Sequence, residues 1–515
     1  MTKQKSISTS LLHLFILGLI VLLFKLPSIE IPFDEDSGVH AYHARLILGG
    51  EPLYTTHYPT HHLPGSYYTF AVLFLLFGDR YQTIKIFLIF WVWVNSAVIY
   101  QIGTLYKNRA VGFLAAVLFI LIGTQTQLSG DTAATEILAN LPLTLVIFLA
   151  YFVYLNPANT KLFYLIGILC AVSIFYKAVY LSSLFAVGVM LVVKDLIRKK
   201  NQRWRQFFAS LGTIAIGGFL FSIIVIAYFW AVGALNEMFS TITMGVNYLK
   251  SSLSFLVIPI LPLFMLGQAN ITFAIISLVG MFWIILKVPT LFKTNPPQAI
   301  FKTMLFVWAA ASIFVAGVSR FPYPHYSLLL VPPFSLLVSI FLVEFLENYR
   351  NKKKPIAFSV NVLGFAIIFA IFFNTIGISQ NYYRYYLGYK LSNIDYEEFL
   401  KHGPYDGEKY YVTYKLANYI QEHTGINDYI FCWTKQPQIY YLSDRGSSSD
   451  VLWIDYIPII GPPQRVFDKN PKLVIVEPEF VGGDESPQWL SDVLVENYTQ
   501  EVVIEEYIVY RSMRP

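Results

Sequence analysis

Apolar runs of about 17 to 25 residues recur along the chain as far as residue 378, and each is long enough as a helix to cross a hydrocarbon core about 30 Å thick. The pattern predicts about eleven spans, at residues 10–28, 82–105, 110–128, 134–155, 160–176, 178–194, 207–230, 270–287, 303–319, 326–347 and 356–378. Four basic connections, "YKNRA" (106–110), "KDLIRKKNQRWR" (194–205), "KVPTLFKTNPPQAIFK" (287–302) and "ENYRNKKKP" (347–355), then share one side of the membrane. The positive-inside rule makes that side cytoplasmic. The outer side receives residues 29–81, 129–133, the connection near Lys177, 231–269, 320–325 and the C-terminal tail. The segment "LSFLVIPILPLFML" (253–266) is apolar but short and holds two prolines. It is expected to be interfacial or re-entrant, because a further crossing would turn the later basic clusters outward. The first run follows Lys3 and Lys5 as in a signal peptide, but no small-residue cleavage site follows, and an uncleaved first span is expected.

Beyond residue 378 the composition turns polar, and residues 379–515 suffice for one small soluble α/β domain on the outer face. "YKLANYIQEHTG" (414–425) reads as a helix, "DYIFCW" (428–433) and "KLVIVEP" (472–478) as buried strands, and "EVVIEEYIVYR" (501–511) as a terminal pair of strands. No glycine-rich phosphate loop or catalytic triad is visible there, so a stabilising or accessory role is expected. Residues 1–378 form the membrane domain, with 29–81 as its first outer loop.

Composition agrees with a polytopic α-helical membrane protein: 515 residues, 56% hydrophobic and only 13% charged, with a mean hydropathy of +0.53. The net charge of +5 does not point to nucleic acid, because the basic residues lie mostly in the short connections, where they set topology. Cys170 and Cys432 are far apart and fit no metal or redox spacing.

The first outer loop is unusual for a connector. Residues 30–66 hold five acids (Glu30, Asp34, Glu35, Asp36 and Glu51), Arg45 and five of the nine histidines. Val39, Tyr42, Leu46 and Ile47 recur at helical spacing before Gly49 and Gly50, which predicts an amphipathic helix over 37–48, lying on the membrane surface with Asp36 at its N-terminus. An Asp there can simply cap the helix. Three adjacent acids at a low-dielectric boundary also repel one another, which raises the proton affinity of at least one and suits a general base. His57, His61 and His62 in "THYPTHHLPG" can bind a divalent metal with the acids, hydrogen-bond a phosphate, or sit in a wet interfacial loop; their spacing matches no zinc motif.

Other polar groups mark the outer ends of later spans. Glu136 lies inside the apolar part of the fourth, where a carboxylate needs a partner or a watery cavity. Lys177 is a lone cation between two apolar runs, in position either to snorkel to headgroups or to serve a site. Arg320, His325 and Tyr326 in "SRFPYPHYSLLLVPP" fall on the same side, as an aromatic belt or as a cationic cluster. Carboxylates beside cations suit transfer of a group away from a phosphate: one deprotonates an attacking hydroxyl while the cations stabilise the departing charge. A transporter or lipid flippase would also need charges within a helical bundle, but no internal repeat is found.

The ordered motifs "DSGVHAYHARLILGGEPLY", "THHLPGSYYTFAVLFLLFG", "TEILANLPLTLVIFLAYF", "FYKAVYL", "AYFWAVGAL" and "FPYPHYSLLLVPP" resemble integral-membrane glycosyltransferases of the GT-C class. Within that class they are most similar to the bacterial dolichyl-phosphate-mannose-protein mannosyltransferase-like group, which includes aminoarabinose transferases. The resemblance spans residues 10–350. It implies a multi-pass protein of the bacterial plasma membrane with its soluble domain outside. It also implies a polyprenyl-phosphate-linked sugar donor, a lipid, glycan or protein acceptor, and inversion at the anomeric carbon. The family's catalytic Asp matches Asp36 best, with Asp34 as second choice, and its acid at the fourth span matches Glu136. Lys177, Arg320, His325 and Tyr326 match groups on the phosphate side, as do His61 and His62 of the first loop. Two departures stand out: relatives often carry Glu after the first-loop Asp where this chain has Ser37, and a lysine near position 62 where it has His62.

Overall fold

The computed structural model describes residues 2–57, 62–197, 204–248, 254–350, 354–456, 466–477 and 487–514. Every predicted span is helical: Thr2–Lys25, Tyr81–Tyr106, Arg109–Gly123, Thr135–Leu155, Leu162–Tyr176, Ser182–Leu196, Arg205–Ala231, Ile260–Thr294, Pro296–Gly317, Val331–Arg350 and Lys354–Lys390. Eight are long and apolar enough to cross a membrane. The remaining three, Arg109–Gly123, Leu162–Tyr176 and Ser182–Leu196, have 15 residues each, roughly 22 Å of helix.

The chain divides into two compact units. One comprises residues 1–26, 86–228 and 247–380, the other 27–85, 229–246 and 381–515. The first outer loop, which the pattern of spans groups with the membrane segments, therefore packs in the same unit as the C-terminal segment.

In the membrane unit, the segment 253–266 is described from residue 254: a short turn at Phe255–Val257, with Phe255 and Leu256 exposed, leads into a helix. Residues 260–269 are the opening arm of helix Ile260–Thr294, which breaks at Asn270 (φ −156°, ψ 93°), where the span was expected to start. The Asn270 side chain satisfies the break: its Oδ1 accepts the Phe273 N–H at 3.0 Å and its amide donates to the Ile371 carbonyl at 3.0 Å. The arm is seated tightly. A Cβ on Gly317 would stand 1.8 Å from the Ile258 carbonyl oxygen, so only glycine admits this approach. Ser327 donates to the Pro262 carbonyl at 2.9 Å.

In the second unit, five strands, β1 (Tyr429–Trp433), β2 (Gly446–Ser447), β3 (Leu473–Val476), β4 (Tyr498–Ile504) and β5 (Tyr507–Ser512), form one sheet in the order β2-β1-β3-β5-β4. The β2-β1-β3 part is parallel, and β3-β5-β4 is antiparallel. β3 is apolar throughout and wholly buried, as a strand covered on both faces must be. Helix Gly407–His423 begins seven residues before the predicted start.

The first-loop helix spans Glu35–Leu48, with Asp34 at the cap position and Asp36 inside the first turn. It is not a surface helix: Ser37 to Ala44 are all buried, packed against helices Gly65–Phe77 and Gln438–Ser443. Val39 and Tyr42 of the apolar face predicted for the membrane are covered by protein, Leu46 and Ile47 are partly exposed, and His40 and His43 are interior residues.

Candidate active site

Glu136 occupies the first turn of helix Thr135–Leu155, and Lys177 ends helix Leu162–Tyr176, so each charge complements the dipole of its own helix. The two helices pack on each other, which brings the ends together. Glu136 is only 2% exposed; its Oε1 accepts the Tyr180 hydroxyl at 2.5 Å and lies 3.6 Å from Lys177 Nζ. The Lys177 ammonium also rests over the Tyr326 ring, 4.1 Å from its centroid, and about a quarter of its side chain (24%) is exposed. His325 packs edge-on against Tyr326, with ring centroids 4.7 Å apart, and acts electrostatically on the Glu136 carboxylate. Asn140, one turn further along the Glu136 helix, donates to the Leu328 carbonyl at 3.0 Å and ties the 324–330 turn to that helix. Arg320 lies on the loop leading into that turn, with its guanidinium over the Phe255 ring at 4.6 Å. Its backbone is left-handed (φ 59°), a conformation that costs a non-glycine residue about 1–2 kcal/mol. The structure therefore joins Glu136, Lys177, His325 and Tyr326 and adds Tyr180, which sequence reasoning missed although it lies three residues beyond Lys177 in "FYKAVYL".

In the second unit the three adjacent acids go separate ways, because successive helical residues point about 100° apart. Glu35 pairs with Lys409 at 2.9 Å. Asp34 accepts the Gly38 N–H through its backbone carbonyl at 2.8 Å, and its charge is felt by Lys409. Asp36 acts electrostatically on Tyr67, a fully buried residue whose hydroxyl is 3.3 Å from His62 Nδ1. His40 stands edge-on to Tyr67 at 4.8 Å and 5.6 Å from His62, ring to ring. Of the three acids, Asp36 is the one whose charge is felt by Tyr67, the tyrosine that His40 and His62 adjoin. Lys409 and Tyr67 escaped sequence reasoning: Lys409 lies 374 residues from Glu35, and Tyr67 reads as one more apolar position.

Two further histidines of the loop are buried and neutral. Burial drives His43 down to about 3 despite its hydrogen bond with the Val39 carbonyl, with His57 adding repulsion. His57 falls to about 4, through burial and the nearby charge of Lys469. His61 lies outside the described residues. Among the described residues, no group of three or more His, Cys, Asp or Glu side chains is arranged to hold a metal ion.

The structure is similar to that of ArnT from Cupriavidus metallidurans in the apo state (TM-score 0.61, 13% identity), covering 98% of each chain. It is also similar to the same protein bound to undecaprenyl phosphate (TM-score 0.60, 13% identity, 97% of each chain). The archaeal oligosaccharyltransferase AglB from Archaeoglobus fulgidus, in complex with an inhibitory peptide and a dolichol-phosphate, matches at TM-score 0.53 and 11% identity, over 92% of this chain and 70% of its own. The chain has the GT-C fold. No protein-family model matches it, and no curated protein does. With that fold and eight helices long and apolar enough to span among the described residues, it is an integral membrane protein.

Proposed function

We propose that this GT-C protein is a glycosyltransferase that moves a sugar from a polyprenyl-phosphate donor to an acceptor hydroxyl or phosphate on the outer face of the membrane, with inversion. The observation that carries the reading is the Glu136–Lys177–Tyr326–His325 cluster, a reachable cation held beside a buried carboxylate in the GT-C membrane unit. Neighbours of the same fold have been seen with undecaprenyl phosphate and with dolichol-phosphate and a peptide, which supports a lipid-phosphate donor and a lipid or peptide acceptor.

In this reading Asp36 accepts the acceptor's proton as its oxygen attacks the anomeric carbon. The bond from that carbon to the phosphate oxygen breaks, and its electron pair leaves with the lipid phosphate. Attack from the face opposite the leaving group inverts the configuration. Lys177 stabilises the phosphate charge, with Arg320, His325, Tyr326, His62 and His61 as further phosphate-side groups, and Glu136 with Tyr180 holds Lys177 in place. Asp36 is preferred to Asp34 and Glu35 because Glu35 is committed to Lys409 and Asp34 starts the helix. Basic connections on the opposite side support an outer location for the C-terminal segment.

The test supplies a radiolabelled polyprenyl-phosphate sugar to purified protein in detergent and follows label transfer and hydrolysis. Asp36→Asn is expected to lower turnover by roughly a hundredfold or more, while Asp34→Asn stays near wild type. Full turnover in Asp36→Asn refutes the assignment of the base, and label that changes leaflet with its phosphate bond intact identifies a flippase instead.

A further inference from the structure

Helix Glu35–Leu48 carries two opposite faces. His40 and His43, at the helical spacing that continues from Asp36, meet helix Gly65–Phe77: His40 is 4.8 Å from Tyr67 and 5.6 Å from Phe70, and His43 is 5.2 Å from Tyr67, ring to ring. Gly38, Tyr42 and Arg45 lie about 200° away around the axis and meet the C-terminal segment. A Cβ at Gly38 would stand 2.2 Å from the Gln438 Cβ and 2.6 Å from its Cα, so nothing larger than hydrogen separates the two backbones. The Tyr42 hydroxyl accepts the buried Ser447 N–H at 2.7 Å, at the edge strand of the sheet. Arg45 pairs with Asp444 at 2.7 Å and Asp79 at 2.6 Å and lies over the Tyr441 ring at 4.4 Å. Together these contacts set the distance, the rotation and the height of the helix.

We infer that the C-terminal segment is a positioning element: its docking on Gly38, Tyr42 and Arg45 places the opposite face of the helix, and with it Asp36, for proton transfer. The inference rests on the proposed function and deepens it, because the segment without phosphate loop or triad then serves the site through another element's geometry. Tyr42 and Gly38 are positioning residues. They lie on the face turned away from Asp36, and they act by holding the helix that carries it.

The experiment uses the full chain in detergent, comparing wild type, Tyr42→Phe, Gly38→Ala, Asp36→Asn and, as a control, Gly212→Ala, whose new Cβ meets nothing within 4 Å. Turnover and donor KM are measured on the monodisperse fraction, and hydrogen exchange of residues 35–48 is followed in parallel. Tyr42→Phe is expected to speed that exchange and lower kcat about tenfold with donor KM within about twofold, and Gly38→Ala to lower kcat about a hundredfold, as an ångström of misplacement does. A merely structural role would reduce the yield of folded protein and leave kcat per folded molecule unchanged. Wild-type exchange or wild-type kcat in Tyr42→Phe overturns the inference. Full turnover in Asp36→Asn, or no transfer by wild type, overturns the functional reading instead, and the exchange data still show whether the docking face holds the helix.

Discussion

Glu344 and Glu136, two carboxylates of the membrane unit, are each paired with a lysine, and the structure treats them differently. Glu344 accepts the Tyr106 hydroxyl at 2.7 Å, the Trp283 indole N–H at 3.0 Å and the Lys302 ammonium at 2.7 Å, and Lys302 is 1% exposed. Its donors come from three helices besides its own, so four helices are fastened at one point. Glu136 is the more deeply buried of the two, 2% exposed against 13%, yet its lysine stands 3.6 Å away, beyond hydrogen-bond reach, and is 24% exposed. A carboxylate that collects short bonds from several helices is a staple. A carboxylate whose cation stays reachable leaves that cation able to meet a charge that arrives with a ligand.

The contrast breaks first at the staple. Lys302→Ala leaves the largely enclosed Glu344 without its cation, and breaking a buried pair costs up to about 3–5 kcal/mol. The expected outcome is a large drop in thermal stability in detergent, with turnover per folded molecule unchanged. A stable variant, or one folded but inactive, would erase the distinction. At the other pair the readouts exchange places. Lys177→Ala is expected to lower turnover by roughly a hundredfold to a thousandfold, as loss of one well-placed charge-stabilising donor does. Its stability should fall less than that of Lys302→Ala, since the helix N-terminus and Tyr180 still serve Glu136. Unchanged turnover in this variant would return Lys177 to snorkelling.

The smallest effect is a pH baseline against which both variants should be read. His43 and His57 have folded values near 3 and 4, below the ordinary 6.5 of an unfolded chain, so the unfolded state takes up protons first. Their stabilisation is complete above about pH 6.5 and is lost as pH falls toward 4, by at most roughly 1.4 kcal/mol per pH unit for each histidine. Melting temperature is therefore expected to fall from pH 7 to pH 5 in wild type and to fall less in His57→Gln. An equal slope in the two would remove His57 as a cause.

Much of this was legible in the sequence, with identifiable gaps. Glu136, Lys177, His325 and Tyr326 stood out because polar groups at apolar span ends are rare, and the fold brings these four together. Lys302 and Glu344 did not, because a lysine in the cluster 287–302 reads as a topology signal and a Glu near a span's end reads as solvated. The helix over 37–48 was legible from its spacing, but its cover was misread: an apolar face fits lipid or protein equally well, and Gln438, Tyr440 and Tyr441 lie some 400 residues away. The bend at Asn270 was legible as a span start, while the seating of the arm before it on Gly317 was not.

What the sequence alone determined is which segments are helices of membrane length and where the polar tail begins, because a run of apolar residues must satisfy its own backbone bonds in lipid wherever its neighbours lie. Tertiary structure alone decided which of those helices face lipid. The spans within Lys354–Lys390 and Pro324–Tyr349 are about equally apolar, yet 17% of one and 83% of the other is buried in protein. It likewise separated Asp34, Glu35 and Asp36, three adjacent letters, into the residue before the helix, an ion pair and a candidate base. Burial and pairing belong to partners brought together from far along the chain, and a local pattern carries no record of them.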